Sequence, residues 1–169
     1  CYKAADLASK LVQAGALVDV IVTRGATNFL SPLTFRGITH RPVASDLFDP
    51  ESETAMDHLA IAQRAHLLVV APATAHTIAK IAWGLADDLL TTTVLATRAP
   101  IIICPAMDGY MFENPATQEN LEKLRARGHT IAGPARGHLA SGAMGQGRLL
   151  EVHEILGYVK LVLGRDGDL

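Results

Sequence analysis

Four short segments of the chain hold residues whose types and spacing suit chemistry. Pro72-Ala73-Thr74-Ala75-His76-Thr77 places small and hydroxyl-bearing residues where a buried strand gives way to a helix. Small side chains let a planar ligand approach the backbone, and free N–H groups at a helix N-terminus hold an anion or a ring carbonyl. The same residues also make an ordinary N-cap turn. Pro105-Ala106-Met107-Asp108 repeats the design one strand later, with Asp108 either capping the next helix or facing a ligand in the crevice. Thr23-Arg24-Gly25-Ala26-Thr27 is a third turn of this kind. Gly137 to Arg148 is long and glycine-rich, suited to a lid or binding flap. It is no P-loop, since no Gly-Lys-Ser/Thr follows a strand, and the chain has no G-x-S-x-G elbow.

The elements that position these segments follow from hydrophobic periodicity. A helix is expected from Ala4 to Ala14, closed by Gly15, and then a strand over Ala16–Val22. Ser31 to Pro50 reads as irregular, with short helical pieces. His58 to Ala65 reads as a short helix leading into a buried strand, Leu67 to Ala71, stopped by Pro72. Helices follow from about Thr74 to Trp83 and from Asp87 to Ala96, the second capped by Asp87. Pro100 to Cys104 is the next strand, stopped by Pro105. Asn114 and Pro115 form an N-cap and N1 pair for a helix to Arg127. His129 to Ala132 is a weaker strand, Gly133 to Gly147 a loop with five glycines, and Val152 to Leu163 a final helix. Strands alternating with helices imply right-handed crossovers and an α/β, doubly wound parallel sheet with helices on both faces. Function in such a sheet gathers at the carboxyl ends of the strands, where the four segments fall.

Composition narrows the function classes. Hydrophobic residues make up 49% of the 169 residues and aromatics only 5%, which suits helices packed on a parallel sheet. A net charge of −2 without a Lys/Arg cluster does not nominate nucleic acid or an anionic membrane. No apolar run approaches the ~20 residues of a membrane span, and no signal peptide is visible, so the expected location is cytoplasmic. The two cysteines and seven histidines lack metal-ligand spacing, so no metal site is expected. His58, at a helix start before a core strand, is a packing or surface residue on its own terms, or an acid–base group. The chain begins at Cys1 already in helical pattern, which points to an N-terminal strand and turn lying before it.

In this order, the segments resemble the homo-oligomeric flavin-containing cysteine decarboxylases. Ala71 to Ala82 is similar to the family's P-A-S-A-N-T segment, and Gly84-Leu85-Ala86-Asp87-Asp88-Leu89-Leu90 to its G-x-A-D-N/D-L-L segment. Pro105 to Phe112 resembles P-x-M-N-x-x-M-W, and Asn114 to Asn120 and Gly145-Gln146-Gly147-Arg148 continue the likeness. It covers nearly the whole chain and is strongest for the decarboxylase half of bacterial bifunctional coenzyme A enzymes. The resemblance implies a Rossmann- or flavodoxin-like fold over 1–164, with a linker starting at 165–169 and, in that branch, a following phosphopantothenate–cysteine ligase domain. It implies an FMN cofactor, a carboxy-lyase activity converting 4'-phosphopantothenoylcysteine to 4'-phosphopantetheine, and a homotrimer or dodecamer.

The same resemblance assigns residues. Thr23 would help bind the FMN phosphate, and Thr74, Ala75, His76, Thr77 and Ala106 would line the flavin. His58 matches the active-site histidine. Met107, Asp108 and Met111 fall in the substrate-recognition segment. Ser141 stands where the family carries the cysteine that protonates an ene-thiol. Three positions thus depart from the pattern: Asp108 and His76 replace asparagines, and Ser141 replaces that cysteine. An ionised aspartate repels a substrate carboxylate unless burial raises its pKa, and a serine hydroxyl is a far poorer acid than a thiol. The expected outcomes are a full cycle with another proton donor, an oxidative decarboxylase that stops at the ene-thiol, or a non-catalytic FMN-binding relative.

Overall fold

The computed structural model of the chain describes residues 2–48, 57–139 and 141–165. In chain order the elements are α1 (Tyr2–Gln13), β1 (Val20–Ile21), a 3-10 turn (Ala26–Asn28), α2 (Pro32–Thr39), β2 (Val43–Ala44), α3 (Asp57–Arg64), β3 (Leu68–Ala73) and α4 (Ala75–Trp83). They continue with α5 (Leu89–Ala96), β4 (Ile101–Pro105), α6 (Gly109–Glu113), α7 (Pro115–Ala126), β5 (Thr130–Ile131), β6 (Ala135–His138), β7 (Met144–Arg148) and α8 (Val152–Arg165). The chain divides into two compact units, residues 1–65 with 86–98, and residues 66–85 with 99–169. The linker expected at 165–169 lies, beyond Arg165, outside the described residues.

In the first unit β1 and β2 pair in parallel, Val20 opposite Val43 and Ile21 opposite Ala44. The strand expected over Ala16–Val22 is therefore only two residues long, and β2 emerges from a stretch read as irregular. Ala8, Val22 and Phe35 form the core here, packed by Ala4, Val18, Leu30 and Ile38. Ser31 caps α2 by accepting from the Leu33 N–H, with Pro32 at N1. Asp88, not Asp87, caps α5: its carboxylate accepts from the Thr91 N–H at 2.8 Å and the Thr91 hydroxyl answers the Asp88 N–H, a reciprocal capping box. Two adjacent aspartates satisfy the sequence rule equally, and the chain path decides between them. Thr97 Oγ1 then donates to the Ala62 carbonyl at 3.1 Å, joining the end of α5 to α3.

In the second unit the parallel sheet runs β3-β4-β5. Every residue of β4 is buried, as the Ile-Ile-Ile-Cys run predicts for a central parallel strand, but the strand starts at Ile101 and takes in Pro105 instead of stopping before it. β3 does not stop at Pro72 but reaches Ala73, its register shifting between Val70 and Ala73. Proline has no N–H for the ladder, so the strand passes it as an irregularity instead of ending there. Ile78, Ile102, Ile103, Leu121, Leu124 and Ile155 are fully buried around this sheet. Asn114 caps α7 as expected, and Gly128, at φ +88°, takes the left-handed turn that ends it. The expected glycine-rich loop is instead an antiparallel hairpin of β6 and β7, pairing Gly137 with Gly145 and His138 with Met144. Its glycines hid the strand period because they contribute no side chains to an alternating pattern.

Candidate active site

The carboxyl ends of β3 and β4 lie side by side. The Ala106 N–H donates to the Ala73 carbonyl at 3.0 Å, which brings Thr74 to Thr77 beside Ala106 and Met107. Thr74 is the N-cap of α4: its hydroxyl accepts from the Thr77 N–H at 3.2 Å and lies 3.2 Å from the Thr77 hydroxyl. The N-cap reading of this turn is thus the one observed. The cap uses the Thr77 N–H, while Thr74 and His76 stand exposed and Ala75 and Thr77 half-buried.

Asp108 is likewise a cap, accepting from the Tyr110 N–H at 3.1 Å to start α6. Its other oxygen accepts from the Ser141 hydroxyl at 2.6 Å. Both bonds favour the charged form, the Ser141 bond most, and hold the carboxyl below its ordinary 3.8. A protonated, buried aspartate is therefore not what this site contains. Met111 sits on α6, half exposed at 50%.

The β6–β7 hairpin lies over this segment. The Met107 N–H donates to the Gly147 carbonyl at 2.9 Å. A Cβ on Gly147 would overlap the Met107 carbonyl oxygen, so only glycine allows the approach. Beside the contact is a cavity of about 230 Å³ lined by Asp108, Tyr110, Glu113, Leu139, Met144 and neighbouring glycines and alanine. Tyr110, Glu113, Leu139 and Met144 were not legible as site residues, because nothing in their local sequence shows that the hairpin folds back onto α6.

The first unit carries Thr23 and His58. Thr23, half-buried after β1, receives the N–H groups of Ala26 and Thr27 on its carbonyl at 2.9 and 3.2 Å, so it opens the 3-10 turn. His58 stands in the first turn of α3 with its ring half-buried. Its Nδ1 is buried and has no hydrogen-bond partner among the described residues. Such an atom costs about 1–3 kcal/mol when left unmet, and a bound polar group would meet it. The far end of α3 is fixed by Asp19, which takes Arg64 Nε at 2.6 Å and Arg41 Nη2 at 2.7 Å. Burial alone pushes Asp19 up, but the hydrogen bonds and charges of Arg64 and Arg41 outweigh it and hold the carboxyl below 3.8. Asp19, Arg41 and Arg64 are too far apart in sequence for spacing to have paired them.

Cys104, on the central strand, is buried and its thiol is pushed up to about 12 by desolvation, so it offers no thiolate. Among the described residues no three His, Cys, Asp or Glu side chains stand together as metal ligands. No helix among them is long and apolar enough to cross a membrane.

The flavoprotein family model matches residues 1–164. The chain belongs to the Flavoprotein family. This flavoprotein is 47% identical over 157 residues to the coenzyme A biosynthesis bifunctional protein CoaBC of Vibrio cholerae, covering 93% of the chain and 39% of that relative. The chain thus spans about two fifths of the length of the curated relatives it matches. Among solved structures it superimposes with a TM-score of 0.82 on a cysteine-to-serine mutant of PPC decarboxylase complexed with pantothenoylaminoethenethiol, at 31% identity over 94% of this chain and 89% of that one. The FMN-dependent cysteine decarboxylase SpaF gives 0.80 at 27% identity, over 97% and 89%. The fold of the flavoprotein is the α/β, parallel-sheet, Rossmann- or flavodoxin-like fold of these neighbours.

Proposed function

We propose that this chain is an FMN-dependent carboxy-lyase that decarboxylates 4'-phosphopantothenoylcysteine to 4'-phosphopantetheine in coenzyme A biosynthesis, in the cytoplasm. The observation that carries the reading is the whole-chain likeness to a PPC decarboxylase complexed with pantothenoylaminoethenethiol, joined to 47% identity with a CoaBC protein. The domain would occupy 1–164, with a linker from 165 leading to a ligase domain, and the chain would act as a homotrimer or dodecamer.

The residues present fit the cofactor. Thr74 to Thr77 and Ala106 offer a small-residue ledge at adjacent strand ends. Thr23, Thr74, Ala75, His76, Thr77 and Ala106 would hold FMN, which when bound would supply the two-electron oxidation and its return, giving a sink to the electron pair that CO₂ leaves behind on the substrate. His58 would hold or move the substrate thiol proton. Met107 and Met111 would give the substrate an apolar wall. Asp108, ionised and already accepting two hydrogen bonds, suits an amide N–H or hydroxyl of the substrate, not its carboxylate.

A second reading has its own observation. The Ser141 proton is held by Asp108, so the chain would stop at the ene-thiol and pass two electrons to an outside acceptor such as dioxygen. One assay separates the two. Purified chain should carry FMN near one per chain and release CO₂ from 4'-phosphopantothenoylcysteine. The saturated thiol product supports the full cycle, and CO₂ with ene-thiol alone supports the second reading. Bound FMN without any CO₂ overturns both.

A further inference from the structure

We infer that Asp108 and Ser141 form the side-chain half of a two-point clasp that seats the β6–β7 hairpin on the end of β4, and that Ser141 is a positioning residue, not a proton donor. The backbone half is the Met107 N–H to Gly147 carbonyl bond at 2.9 Å, and the side-chain half is the Ser141 hydroxyl to Asp108 bond at 2.6 Å. Each half ties one of two consecutive residues, Met107 or Asp108, to a different part of the hairpin. One grips β7, the other the turn side, where Leu139 and Gly142 also bond. Asp108, at the side-chain point, also lines the cavity with Gly109, Leu139, Ala143 and Gly145.

The chemistry of the pair follows from what each group can do. A carboxylate has no proton to give, so the hydroxyl must be the donor. Its one proton then points at Asp108, and Ser141 Oγ turns only lone pairs to anything else. Asp108 is engaged at both oxygens, one on the Tyr110 N–H and the other on Ser141, and keeps one further acceptor site on each. Delivering a proton from Ser141 would break the 2.6 Å contact and leave an alkoxide beside a carboxylate. The pair also sets Asp108 apart from a plain helix cap, which needs only the first of its two oxygens.

The positioning role rests on the reading under Proposed function, whereas the clasp does not, so the two are tested separately. Amide hydrogen exchange over residues 135–148 is measured on the chain without substrate. Ser141→Ala keeps the α6 cap and removes only the hydroxyl. It should speed hairpin exchange about fivefold, the scale of an exposed hydrogen bond to a charged group. Ser141→Thr should restore the wild-type rate, and Ser141→Ala should add nothing further in an Asp108→Ala background. Unchanged exchange in Ser141→Ala, or effects that simply add, overturns the clasp. In the decarboxylation assay Ser141→Ala should raise KM with kcat within about twofold. Loss of kcat at unchanged KM overturns the positioning role. If wild type turns over nothing, the proposed function and the positioning role both fall, while the exchange rates still decide the clasp.

Discussion

Ser141 reaches across 33 positions of sequence to place its hydroxyl 2.6 Å from Asp108 Oδ2, so two residues set apart by the sequence as departures from the resemblance touch each other. Because the folded carboxyl is held below 3.8, what the contact contributes is present above that pH and lost as pH falls through the folded value. The Asp108 carboxyl followed by carbon NMR should titrate below about 3.9, the free aspartate value. In Ser141→Ala its midpoint should move up. A midpoint at or above the free value in wild type would contradict the geometry.

Asp19 makes a sharper stability prediction, since it is only 19% exposed while gathering Arg41 and Arg64. Asp19→Asn should cost about 1–2 kcal/mol in denaturant unfolding near neutral pH, less than a fully buried pair because Arg64 is half exposed. Its folded carboxyl also lies below 3.8, so the wild-type advantage should hold above about pH 4 and shrink as pH falls further. An advantage that grew on acidification would refute the assignment.

Gly147→Ala places a methyl group on the Met107 carbonyl oxygen, with Leu139 Cδ2 only 3.3 Å away. Backbone cannot yield as a side-chain tip does, so the hairpin must lift and lose its Met107 bond. We expect a loss of about 2–4 kcal/mol, combining overpacking with one broken hydrogen bond. Differential unfolding with exchange mapped to 135–148 tests it. A wild-type midpoint and unchanged exchange would show that the hairpin does not sit on Met107.

Cys104 should resist alkylation in the folded chain at pH 8. Its thiol, buried and pushed up to about 12, carries almost no thiolate there. Peptide mass spectrometry after iodoacetamide should find Cys104 unlabelled natively and labelled in denaturant. Rapid native labelling would show that β4 is open to solvent.

The sequence alone determined the features that are local in the chain. The Ile101–Cys104 run is legible as a buried strand because a central parallel strand needs apolar side chains on both faces. Thr74, Asn114 and Gly128 are legible because capping chemistry acts within about four residues. The order of the strand-end segments carried the family resemblance. Tertiary structure decided what depends on non-local approach. It chose Asp88 over Asp87 as the α5 cap and carried β3 past Pro72. It made a hairpin of a stretch whose glycines are there for closeness to Met107, not for looseness. Above all it joined Asp108 to Ser141 and Asp19 to Arg64: a hydrogen bond depends on ångström distances that no spacing along the chain records.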